Sequence, residues 1–167
     1  MSSPMSFAPN PLLDLVLERV VDVPPHLVWK AWTTPELLMP WFCPKPWSVS
    51  DCRIELRPGG EFYTVMRSPE GEAFPNSGCY LEVVPTTRLT WTSTMTAGYR
   101  PALAPESAGA GFHMTASLLL EPHGSGTTYT AIVQHATEES RVQHEKMGFQ
   151  EGWGAALDQL VAFIKAM

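Results

Sequence analysis

The chain has 167 residues, which suits one domain with a sizeable core and is short for two. Hydrophobic residues make up 44% and charged residues 17%, the balance of a globular chain rather than a disordered one. The formal net charge is -6, and the basic residues do not cluster (Arg53, Arg57 and Arg67 are isolated), which excludes nucleic acid and anionic membrane as partners.

Residues 1–11 carry three prolines and neither the basic nor the apolar run of a secretory signal. They are expected to be a disordered lead-in to a single domain over 12–167. Residues 12–22, rich in Val and Leu, predict a first strand. Asp22 and the pair Pro24-Pro25 stop it and open a helix with Leu27, Val28, Ala31 and Trp32 on one face. Thr34-Pro35 is a second cap-and-first-turn signal, opening a short helix with Leu37, Leu38 and Met39 that Pro40 ends.

An antiparallel region follows. SVSDCRIELRPGG turns at Pro58-Gly59-Gly60, and EFYTVMRSPEGE turns again near Ser68–Gly71. SGCYLEVVP, RLTWTSTM, HMTASLLLEP and TTYTAIVQH complete the set, with breaks at Pro85–Thr87 and His123–Gly126. With the first strand this predicts about seven strands, and breaks this short leave no room for parallel crossovers. The longest irregular stretch, 96–111, is either a functional lid or a disordered loop. Thr137 is placed to cap a long last helix, on which Phe149, Trp153, Leu157, Leu160 and Ile164 form one apolar stripe. Gly148, Gly152 and Gly154 interrupt that helix, which implies a close approach, a kink or room left open.

Cys43, Cys52 and Cys79 are odd in number and lack a C-x-x-C, so neither a disulfide framework nor a zinc knuckle is expected. A reducing, cytoplasmic location fits them. No run of eighteen apolar residues is present to span a membrane.

Five segments occur in the order of one known family. VDVPPHLVWKAWTTPELLMPWF, ELRPGGEFYTVM, GCYLEVVPTTRLTWT, GSGTTYT and GFQEGWGAALDQLVAFI resemble those of proteins similar to the activator of heat-shock-protein-ninety ATPase. That family is part of the START-like, polyketide-cyclase-like superfamily, and the resemblance covers about residues 12–165. It implies an α+β helix-grip fold, a curved antiparallel sheet around a long C-terminal helix with two short helices after the first strand. It also implies a pocket between sheet and helix.

Trp41, Phe42, Phe62, Trp91, Met114, Phe149 and Trp153 are expected to line that pocket, against the alternative that they are ordinary core. Arg100, beside Tyr99 in the long loop, is a candidate to hold a carboxylate or phenolic ligand. His113, His123, His135 and His144 crowd the last third, but no H-E-x-x-H and no helical pair at i, i+4 occurs, so no metal is assigned. No cofactor motif is present. No G-x-S-x-G occurs, the cysteines read as small buried hydrophobes, and Glu61, Glu72 and Glu82 as solvated strand residues. No catalytic residue is assigned.

The expected function is binding of a small, largely apolar ligand, aromatic or lipid-like. The alternative is a cyclase, hydrolase or lyase using the same pocket on an aromatic or polyketide-like substrate. That reading needs convergent titratable groups, such as a buried Glu or His pair in the cavity. Activation of a chaperone ATPase ranks third: in the eukaryotic co-chaperone the resembled domain follows another, and only about eleven residues precede the first strand here. Exposed sheet surface on an acidic chain suggests a homodimer.

Overall fold

The computed structural model describes residues 8–104 and 111–167. The disorder expected of residues 1–7, and the part of loop 96–111 between 105 and 110, lie outside the described residues. Asn10 opens a tight turn before the first strand: its backbone N–H donates to the Asp14 carboxylate at 2.7 Å, and its carbonyl accepts from Leu13 and Asp14.

The first strand, β1, is Asp14–Val21. Helices α1 (Pro25–Thr33) and α2 (Pro35–Leu38) both begin on proline, whose fixed φ suits a first helical turn. Thr34 makes no side-chain cap; the neighbouring Thr33 hydroxyl instead donates to the Trp29 carbonyl at 2.7 Å. The meander runs through β2 (Ser48–Ile54), β3 (Glu61–Arg67), β4 (Ala73–Val84) and β5 (Arg88–Thr92). It continues through the two-residue strands β6 (Met95–Thr96) and β7 (Arg100–Pro101) to β8 (Thr115–His123) and β9 (Gly126–Gln134). Strand β4 begins well before the expected SGCYLEVVP segment, because Ala73–Ser77 pair with Arg67–Tyr63 on β3.

The main sheet has seven strands in the order β1-β9-β8-β5-β4-β3-β2, every neighbouring pair antiparallel. The helical crossover carries the chain from one sheet edge to the other, so the first two strands lie farthest apart. Register shifts at Val49/Asp51 and Tyr80/Glu82 bend the sheet, as bulges do. This is the α+β helix-grip architecture that the resemblance implies.

The expected single C-terminal helix is two. Helix α3 (Glu138–Lys146) is capped by Thr137, whose hydroxyl oxygen accepts from Ser140 N–H at 3.1 Å. The chain then breaks at Gly148, which sits at φ +93°, before helix α4 (Phe149–Lys165) begins. A left-handed backbone ends a helix, and glycine adopts it without steric penalty. Helix α4 packs Leu157, Leu160 and Ile164 onto the sheet with Leu15, Leu17, Leu118 and Leu120, all buried. None of the described helices is long and apolar enough to cross a membrane.

The Pro58-Gly59-Gly60 turn is held by Gly59 N–H to the Tyr80 carbonyl at 2.7 Å. A Cβ on Gly60 would collide with the Glu55 carbonyl, which is fixed backbone. A Cβ on Gly148 meets no backbone and brings only left-handed strain, about 1 kcal/mol or more. Gly60→Ala should therefore lower the urea midpoint more than Gly148→Ala. Equal midpoints would show that the turn relaxes freely.

Candidate functional site

Helix α4 is amphipathic in two senses. Its C-terminal half docks on the sheet, while Phe149, Gly152, Trp153 and Ala156 in its first two turns line a cavity of about 490 Å³. A Cβ on Gly152 would meet nothing within 4 Å, so this glycine widens the space. A Cβ on Gly154 would instead strike the Arg19 guanidinium, so that glycine serves packing against β1.

The opposite wall comes from the crossover and the sheet. Trp32, Trp41 and Phe42 leave α1 and the end of α2; Phe62 and Trp91 project from β3 and β5. Their rings form one lattice: Trp32 lies 5.0 Å from Trp41, 5.7 Å from Phe42 and 5.2 Å from Trp91, and Phe62 lies 5.9 Å from Phe42. Such edge and tilted contacts hold rings more firmly than area burial alone. Trp41 is further fixed by its indole N–H donating to the Leu37 carbonyl at 2.8 Å.

Trp41, Phe42, Phe62, Trp91, Met114, Phe149 and Trp153 thus all lie on the cavity wall. Arg100 does not: it sits exposed in β7, outside the lining. The two-residue hairpin is pinned elsewhere, with Gly98 N–H on the Gly59 carbonyl at 2.7 Å. Cys43 lines the wall, but burial pushes its thiol up to about 11, so it is protonated at neutral pH and a poor nucleophile. Cys52 is likewise raised to about 11, first by burial and then by the charges of Asp51 and Glu36. Glu61 pairs with Arg53 at 3.0 Å and Glu82 with Arg88 at 3.4 Å; neither they nor Glu72 line the cavity.

The lining groups not expected from the sequence include Trp32, Ser93, Tyr129 and His144. The Trp32 indole N–H is buried and has no hydrogen bond of good geometry among the described residues; burial pushes the neighbouring Tyr129 hydroxyl up, opposed in part by Trp32. Ser93 Oγ lies 3.1 Å from His113 Nδ1, and His113 Nε2 lies 2.7 Å from the Leu103 carbonyl. A carbonyl can only accept, so His113 carries its proton on Nε2 and Nδ1 receives the Ser93 hydroxyl.

The same logic fixes a second chain. His135 Nδ1 lies 2.7 Å from the Leu13 carbonyl and must donate to it. The neutral His135 then presents a bare Nε2, 3.0 Å from His144 Nδ1, so His144 Nδ1 carries the proton between them. The remaining nitrogen, His144 Nε2, is an unprotonated acceptor with no partner among the described residues. Phe112, at 5.0 Å, and Phe149, at 5.3 Å, flank the His144 ring. Among the described residues no three His, Cys, Asp or Glu side chains gather as metal ligands. Among the described residues the cavity lining contains no Asp, Glu, Lys or Arg.

A family model described as Activator of Hsp90 ATPase homolog 1-like protein matches residues 22–165. The chain is 54% identical to a Nitrosomonas europaea protein of solved structure, with a TM-score of 0.88, over 94% of this chain and 97% of that one. A Rhodobacter sphaeroides protein at 24% identity (96% and 97% covered) gives a TM-score of 0.79. An AHSA1-like protein of Aeromonas hydrophila at 19% (92% and 93% covered) gives 0.69; these two show the fold alone. No curated protein matches the chain.

Burial, reinforced by His135, lowers His144 to about 4, and burial lowers His135, opposed by the Leu13 carbonyl and Asp14 and aided by Arg141. In the unfolded chain both bind protons near their ordinary pKa of about 6.5. Below that pH the unfolded state holds more protons than the folded one, so acid favours unfolding. Stability should therefore be flat above about pH 7 and fall between about pH 6.5 and 4. His144→Phe should flatten much of that slope in urea titrations at stepped pH; an unchanged slope would place the proton uptake elsewhere.

Proposed function

The chain belongs to the Activator of Hsp90 ATPase homolog 1-like family, and from the cavity this fold encloses we propose that it binds a small, neutral, ring-bearing apolar molecule. The observation that carries this reading is the cavity itself: about 490 Å³, walled by aromatic rings in edge and tilted contact, with no charged side chain among the described lining residues. Ligand sites typically fall in this size range, apolar with a few polar groups placed among the rings. Ionised fatty acids and aromatic carboxylates find no counter-charge there, and burying an unpaired charge is costly.

An enzyme using the same cavity is the second reading. The Ser93–His113–Leu103 carbonyl chain favours it, since it sets an imidazole to receive a hydroxyl proton, as in nucleophilic acyl transfer. Slow hydrolysis of neutral aryl esters that Ser93→Ala abolishes would support this reading; indifference to the substitution would remove it. The chaperone-activator activity named in the family description depends on a partner surface, and the cavity lends it no support.

The binding reading is tested by thermal shift and Trp fluorescence with neutral bicyclic and tricyclic aromatics. A ligand binding only the native state adds RT ln(1 + [L]/Kd), about 2.7 kcal/mol at a hundredfold excess over Kd. Some of the set should raise the melting temperature of the wild-type chain. Gly152→Leu, whose side chain projects into open space, should fold and lose the shift. A Gly152→Leu protein that keeps the wild-type response would place binding outside the cavity, and no response from the wild type to any aromatic at near-millimolar concentration would contradict the reading.

A further inference from the structure

We propose that His144 is the polar anchor of the cavity, its Nε2 accepting a hydrogen bond from a hydroxyl on the bound ring, which makes the preferred ligand a neutral hydroxyaromatic. The inference rests on the binding reading above and adds the chemistry of its ligand. Three observations carry it. First, the carbonyl of Leu13 fixes the protons along the chain, so that His135 Nδ1–H donates at 2.7 Å and His144 Nδ1–H donates to His135 at 3.0 Å. Second, His144 is 9% exposed, lines the cavity, and leaves Nε2 without a partner among the described residues. Nε2 is reachable from the cavity, so an apolar ligand that displaces water from it leaves the acceptor unpaired, and a ligand supplying an O–H is rewarded over one that does not. Third, Phe112 and Phe149 flank the imidazole, so the donor most easily delivered to it is one carried on a flat ring.

His135 is then a positioning residue. It touches no ligand and holds the His144 proton on Nδ1, which keeps Nε2 bare. With no cation among the described lining residues, a carboxylate of the same ring size gains nothing from them and meets a lone pair.

The experiment titrates the full chain at pH 7.5 with three probes sharing one ring system: 2-naphthol, 2-methoxynaphthalene and 2-naphthoate. The methyl ether keeps an oxygen that can accept, as from the Trp32 indole, and loses only the ability to donate. It is also the more apolar of the two, so hydrophobicity alone would favour it. Wild-type protein should bind 2-naphthol about three- to tenfold more tightly than the ether, the worth of one net hydrogen bond, and 2-naphthoate more weakly than either. His144→Phe keeps a ring between Phe112 and Phe149; it should erase the naphthol preference and leave ether affinity within about twofold. Because that variant could fold poorly, nitrogen-15 spectra of histidine-labelled wild-type protein provide an independent reading. They should show His144 Nε2 as the unprotonated nitrogen, moved by naphthol and not by the ether. In His135→Phe the same nitrogen should shift toward the average of two tautomers. Ether binding without a naphthol preference, a preference that survives in His144→Phe, or a protonated His144 Nε2 in the free wild-type protein would overturn the anchor and leave the cavity reading standing. Failure of all three probes to bind would overturn both.

Discussion

Helix α4 meets the sheet along only part of its length, and the site depends on that partial contact. Leu157, Leu160 and Ile164 are buried against the strands, whereas Phe149, Gly152 and Trp153 face open volume. Had the whole helix docked, the rings of Trp32, Phe62 and Trp91 would be plain core. The stand-off is maintained by bulk at both ends: a lattice of rings from α1, the segment after α2, β3 and β5 on one side, and the contiguous rings of Phe112, His144, Phe149 and Trp153 on the other. Such rings interlock rather than collapse.

Polar chemistry inside this wall is sparse and therefore decisive. In an apolar surround a hydrogen bond is electrostatically stronger than in water, and an unmade one is more costly. Two imidazoles are wired to backbone carbonyls, His135 to Leu13 and His113 to Leu103, and each carbonyl dictates where the protons sit. One relay ends on a serine hydroxyl and the other on a bare nitrogen. Burial keeps His144 neutral well below physiological pH, so that nitrogen stays an acceptor under all ordinary conditions.

Much of the fold was legible because strand alternation and turn chemistry are local. The R-P-G-G turn, the Pro-opened helices and the Phe149–Ile164 stripe each announce themselves within a few residues. Seven of the eight residues expected at the ligand site share one cavity wall for the same reason: they are large rings and a methionine on elements whose inward face is set by periodicity. Arg100 was chosen for its charge in a long loop, and a two-residue strand carries it away from the wall. His144 was hidden by geometry. On one continuous helix it would lie five residues, about 140° around the axis, from Phe149, on the far face. The left-handed backbone of Gly148 breaks that helix and turns His144 back toward Phe149, at 5.3 Å. Its link to His135 spans a strand end and a helix, which only tertiary structure brings together. Tyr129 and Trp32 likewise needed the register of β9 and the seat of α1.

The account stands on one spatial claim, that the space between α4 and the sheet receives an aromatic ring whose hydroxyl meets His144. A crystal structure of the protein grown with 2-naphthol tests it most directly. The account predicts ring density between Trp153 and the Trp32–Trp91 wall, with the oxygen about 3 Å from His144 Nε2. Side chains filling that volume, or the ring bound on the outer face of the sheet, would contradict it.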